Sequence, residues 1–317
     1  MKNFFSILLL LLIFALPKAQ TTRFIYEVYV NPDTVNLVSL EHEITFLDVN
    51  NGQSLFISKK ALERDSLIES HKEEQILDKE NAKKKEKKKN KSENDFQKRV
   101  EADKKQSYFP FYVVKNLNNS TSNYYERFFD KEIQYVEDRK LDWKLENQTS
   151  KIFGHEAKKA TLNFGGRQWT AWYTDDIKIP DGPYKFYGLP GLIVKLEDSK
   201  GDYKFELIAQ KEIAKPFRFT PKADAVKSTR KTFKNDKAAL MLTMKKQMSE
   251  MQNSNQGARD HMGGPPGGMQ GGGGPPSGGM PPQGERPDGE MRDDSNRSNS
   301  NVSIEKSAQN PIELKNI

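Results

Sequence analysis

The side chains of this 317-residue sequence with the most chemistry to offer are four histidines, three neighbouring aspartates, one arginine and a train of methionines. His42, His71, His155 and His261 fall in different expected elements, and none pairs at metal-ligand spacing. His155-Glu156 lacks the second histidine of a zinc-protease helix, and no nucleophile elbow, phosphate loop or dinucleotide fingerprint occurs. Asp175, Asp176 and Asp181 stand close enough to offer a carboxylate pair for acid–base work, as a hydrolase would need. Aspartate bonding its own backbone in turns explains them more simply. Arg167 directly follows Gly165-Gly166 in an aromatic setting. Its planar fork either pairs with an acid such as Asp175, Asp176 or Glu156, or receives the carboxylate or phosphate of a ligand.

All eight methionines after Met1 lie between Met241 and Met291. Met241, Met244, Met248 and Met251 are spaced for one helix face and read first as packing. Because thioethers are soft ligands, a copper site completed by His261 and Met262 is the alternative, and copper is the one cofactor the sequence raises.

The elements that would position these groups are mostly strands. Residues 24–30 alternate polar and apolar, and residues 43–49 and 53–57 flank Asn51-Gly52 as a hairpin. The clearest hairpin joins 159–164 to 167–173 through Gly165-Gly166. Trp169, Ala171 and Tyr173 then share one face, and Gln168, Thr170 and Trp172 the other. Tryptophan on both faces calls for a core on one side and a covering helix, loop or ligand on the other. Arg167, Trp169, Trp172, Tyr173 and Leu189 form the candidate ligand surface. The hexapeptide Gly188, Leu189, Pro190, Gly191, Leu192 and Ile193 reads as a type II turn with Gly191 at positive φ, launching a buried strand.

Nine to eleven antiparallel strands and two helical segments predict a mainly β (α+β) fold, a curved antiparallel sheet or open half-barrel with the look of lipoprotein carriers. Residues 1–19 read as a signal peptide, 20–251 as a single β-rich domain with a polar helical insertion at 61–106, and 221–251 as the second helix. Residues 252–300, dense in glycine, proline and methionine, read as disordered, and 301–317 as a return strand at the edge of the sheet. With no cysteine, the chain has no disulfide, thiolate metal site or cysteine nucleophile. Most of its +7 net charge sits in eight lysines and two glutamates at 79–91, which read as a solvated spacer. Nucleic acid is excluded as a partner for want of interleaved aromatics, and a mean hydropathy of −0.84 leaves no transmembrane span after the signal peptide.

Residues 143–209 resemble the GLPGLI family of exported Bacteroidetes proteins, which takes its name from the hexapeptide at 188–193. Gly154-His155-Glu156-Ala157, Lys159-Ala160, Gly166-Arg167, Ala171-Trp172-Tyr173 and Gly182-Pro183 stand in the family's order, and Asn310-Pro311-Ile312-Glu313-Leu314 is similar to its usual ending. The resemblance implies export and a β-rich domain and supplies no reaction. The expectation is therefore a non-enzymatic protein of the periplasm or cell exterior that binds a lipid, another apolar ligand or an envelope protein on the concave aromatic face.

Overall fold

A computed structural model describes residues 20–32, 40–80, 107–128, 131–260 and 310–314. The chain divides into two compact units, residues 1–238 with 305–317, and residues 239–304. The first unit is built on one open sheet. Its strands are β1 (Thr21–Val30), β2 (Glu41–Asn50), β3 (Gln53–Ser58), β4 (Phe111–Asn116), β5 (Thr121–Phe128), β6 (Lys131–Val136), β7 (Lys144–Ile152), β8 (His155–Phe164), β9 (Arg167–Thr174), β10 (Leu192–Asp198), β11 (Tyr203–Ile213) and β12 (Val226–Lys227). They lie in the order β12-β6-β5-β4-β3-β2-β1-β11-β10-β9-β8-β7, antiparallel throughout except where β12 runs parallel to β6. The two helices among the described residues are α1 (Lys59–Glu80) and α2 (Phe233–Asp260).

Local sequence explains the hairpins. Gly165 and Gly166, with φ of 62° and 80°, supply the left-handed pair that a two-residue turn needs, and they set Phe164 opposite Arg167. Alternation along β9 then buries Arg167, Trp169, Ala171 and Tyr173 while Trp172 stays half-buried on the opposite face, as its pattern predicts. The sheet also curls. Phe56 on β3 and Phe205 on β11 lie three strands apart, about 14 Å on a flat sheet, yet their ring centroids are 6.3 Å apart. Their shared face is therefore concave. The convex face is covered by Ala61 and Leu62 of α1 and by Phe217 and Phe219, packed on Phe46, Ile57, Tyr112 and Tyr125.

The concave face is filled by its own chain. Between β9 and β10, residues 181–191 fold into the bowl and bury Tyr184, Phe186 and Leu189. Phe186 lies 4.8 Å from Trp169 and 5.3 Å from Phe164, and Tyr184 lies 5.4 Å from Phe111. Each such side chain contributes about 1.5–3 kcal/mol by leaving water. Lys115 of β4, fully buried, anchors the start of this plug by pairing with Asp181 at 2.5 Å and donating to the Gly182 carbonyl at 2.6 Å. Tyr184 takes a φ of 54°, a strain of about 1–3 kcal/mol that its packing offsets.

Several expectations change. Gly188, not Gly191, carries the positive φ, at 90°. Gly191 is glycine for a different reason, because a Cβ there would meet the Thr174 carbonyl oxygen at 1.9 Å. The second helix begins at Phe233 rather than near 221, because β12 and turns at 228–232 occupy the preceding residues. It also continues through 252–260, which hold a single glycine and no proline. Residues 310–314 form no strand. Pro311 has no N–H to give a ladder, and side chains hold the segment instead. The signal peptide at 1–19, the insertion beyond residue 80 up to 106, and residues 261–309 lie outside the described residues.

Candidate functional site

Arg167 opens β9 and faces inward, where it meets the turn between β10 and β11 and the C-terminal segment. Its Nη1 donates to Asp198 and Asp202, at 2.7 Å each. Its Nη2 donates to the Asn310 side-chain oxygen and to the Pro311 carbonyl, and Nε to the Ile312 carbonyl at 3.1 Å. The guanidinium lies 5.1 Å from the Tyr203 ring centroid. Asn31, just past β1, joins the cluster by accepting from Asn310 Nδ2 at 2.9 Å through its carbonyl, and the Tyr203 hydroxyl donates to the Asn310 carbonyl at 2.7 Å. Burial alone would raise the Asp202 carboxyl, but the bonds from Arg167 and Asn310 hold it below the usual aspartate range.

A second cationic seat receives Glu313. Lys185, on the plug and fully buried, donates to Glu313 and Glu137 at 2.5 and 2.9 Å and to the Tyr135 hydroxyl. The rings of Tyr124, Tyr135 and Tyr184 surround its ammonium with centroids 4.8 to 5.0 Å away. Arg139 donates to Glu313 at 2.6 Å and to both Glu137 oxygens at 2.7 Å, its guanidinium stacked 4.0 Å over Phe164. The Tyr184 hydroxyl donates to Glu313, and the Leu314 N–H to the Gly165 carbonyl at 2.7 Å. A Cβ on Gly165 would meet Glu313 Cγ at 2.8 Å, so a side chain there would push the C-terminal strap away. Beside the strap lies an open cleft of about 600 Å³, lined by Arg139, Lys140, Asn163, Phe164, Gly165, Gly166, Arg167 and Gln168.

The strap seat carries a pH dependence. Burial would raise Glu137, but Arg139 and Lys185 hold its pKa to about 2. Glu313 is likewise held below its ordinary value, against its burial, by Lys185 and Arg139. A carboxyl whose folded pKa is depressed contributes stability above its unfolded pKa and loses it as pH falls through the folded one. Unfolding midpoints in urea are therefore expected to be flat above about pH 5 and to fall steeply from about pH 4.5 toward 2. Glu313→Gln should flatten part of that descent, and an unchanged profile would show that Glu313 is solvated.

The acids proposed as partners for Arg167 lie elsewhere. Asp175 pairs with Lys158, and Asp176 accepts from His155 Nδ1 at 2.9 Å. Asp181 pairs with Lys115 instead, so the three aspartates bond to three different side chains rather than forming a carboxylate pair. Trp169, Tyr173 and Leu189 are core residues of the concave face, with Trp172 packed at their margin. His42 lies 3.5 Å from Glu27, and no group of three or more histidine or acid side chains that could hold a metal ion occurs among the described residues. Met241, Met244, Met248 and Met251 fall on α2, with Met244 buried, whereas His261 and Met262 lie outside the described residues. Sequence reasoning passed over Asp198, Asp202, Lys185, Glu137 and Arg139. The pair of aspartates bracketing a turn next to an inward arginine was the available signal.

Residues 166–195, from the second glycine of the turn through β9, the plug and the hexapeptide to the start of β10, match a family model described as a protein of unknown function (Porph_ging). No curated protein matches the chain. Among solved structures, PNGF-II in space group C2 is similar at 17% identity and a TM-score of 0.45, over 68% of this chain and 32% of that one. PNGF-II in space group P21 is similar at 17% identity and a TM-score of 0.44, over 68% of this chain and 33% of that one. The match thus spans about a third of the length of those structures.

Proposed function

We propose that this is a non-enzymatic binding protein of the cell envelope, exported by residues 1–19, whose ligand lies in the open cleft at the rim of the sheet. The observation that carries the reading is the plug: an apolar ligand on the concave face would have to displace Tyr184, Phe186 and Leu189. At the rim, three cationic residues and the amides of Asn163 and Gln168 line the cleft, and no acid does. Lys140 is exposed and has no ion pair among the described residues. That lining suits an acidic polypeptide segment, with Lys140 supplying the charge that the chain itself leaves unneutralised.

Calorimetric titration with tetraglutamate at low salt should show saturable binding, weakened about fivefold or more by Lys140→Glu, which removes an exposed ion pair of up to about 1 kcal/mol and adds a repulsion. Binding that ignores this substitution would overturn the cleft as the ligand surface. Fractionation of cells expressing the chain with and without residues 1–19 tests export separately.

A further inference from the structure

We propose that the seat of residues 310–314 is a peptide-recognition groove, occupied in cis by the chain's own end, and that its partner is a polypeptide from another chain presenting asparagine, proline and, three positions after the asparagine, glutamate. The proposal deepens the reading above, since the groove and the open cleft share Arg139, Gly165 and Arg167.

The segment is held as a ligand is held. Asn310 is read on both ends of its amide, its oxygen by Arg167 and its nitrogen by the Asn31 carbonyl. Glu313 is read by Lys185, Arg139 and the Tyr184 hydroxyl. Among the described residues, one backbone-to-backbone bond, from Leu314 to Gly165, holds the segment, so no described ladder must be broken for it to leave. Pro311 and Leu314 are exposed, and Ile312 alone packs on the core. Departure therefore lifts one described apolar side chain, Ile312, off the core.

The receptor is also complete without its occupant. Arg167 keeps Asp198 and Asp202, and Lys185 and Arg139 keep Glu137. A structural staple would leave buried charges orphaned on release, and such orphans are costly. Here every cation retains a carboxylate, as expected of a binding site that must exist both filled and open. In the intact chain the covalent tether makes the segment's return intramolecular, so a partner competes by adding contacts in the cleft.

The test uses the full chain with a site-specific protease sequence placed among residues 265–285 and cut after purification. A fluorescent peptide of residues 308–317 is then added. The cut chain should bind it saturably by polarisation and release its own C-terminal fragment, the uncut chain should bind at least tenfold more weakly, and a peptide carrying Glu313→Gln should lose at least tenfold on the cut chain. A cut chain that keeps its circular dichroism but never admits the peptide would overturn the proposal. So would unfolding on loss of the fragment, or equal binding of both peptides. Loss of tetraglutamate binding through Lys140→Glu leaves these readouts in place, so the two readings fail separately.

Discussion

Arg167→Ala is expected to lower the thermal unfolding midpoint by about 6–20 °C, the equivalent of about 3–5 kcal/mol for breaking a buried ion pair in a domain of this size. The arginine is almost wholly enclosed, and its removal leaves Asp198 and Asp202 facing each other without a cation. It also frees the carbonyls of Pro311 and Ile312 and the Asn310 amide together. Arg167→Lys should recover only part of the loss, because a point charge cannot serve five acceptors held by a planar fork. Circular dichroism melts of the two variants at neutral pH check this. A drop under about 1 kcal/mol for alanine, the scale of an exposed ion pair, would mean that water reaches the aspartates.

Gly191→Val is expected to leave no soluble folded protein, a loss beyond about 4 kcal/mol. The obstacle is the Thr174 carbonyl oxygen, 1.9 Å from the new Cβ. Thr174 is fixed by its register with Leu192, so the backbone cannot step aside without opening the pairing of β9 and β10. Gly188→Ala makes the contrast. Nothing lies within 4 Å of that position, and only its φ of 90° opposes a side chain, a cost of about 1–2 kcal/mol. Expression yield and urea midpoints for the two variants separate crowding from conformation. Greater damage at Gly188 would mean that backbone conformation, not the close approach to Thr174, limits this segment.

The two glycines also show what was legible. Periodicity placed β9, its turn and the opposed faces of Trp169 and Trp172, because alternation and a left-handed glycine pair are local properties. The importance of Gly191 was visible, but its reason was not, since a close approach between strands has no local signature. The plug was hidden for a related cause. Tyr184, Lys185 and Phe186 follow no period, and only the curl that brings Phe56 toward Phe205 makes a bowl for them to enter. Arg167 stood out by its neighbours, while Asp198 and Asp202 were indistinguishable from ordinary turn aspartates. The ending at 310–314 was recognisable as a return to the sheet, although Pro311 prevented it from returning as a strand.

The order of strands has a consequence in time. β1 to β6 and β7 to β11 are each a run of neighbours in sequence, and the two runs are joined at the pairing of β1 with β11, where Thr21 meets Ile213. Such distant closure is slow. Until β11 exists, β1 is an uncovered ten-residue edge of alternating apolar residues, the kind of edge on which chains aggregate. The second strand laid down by synthesis covers one side of it, and the eleventh covers the other. The yield of native protein is therefore expected to depend on how long that edge must wait.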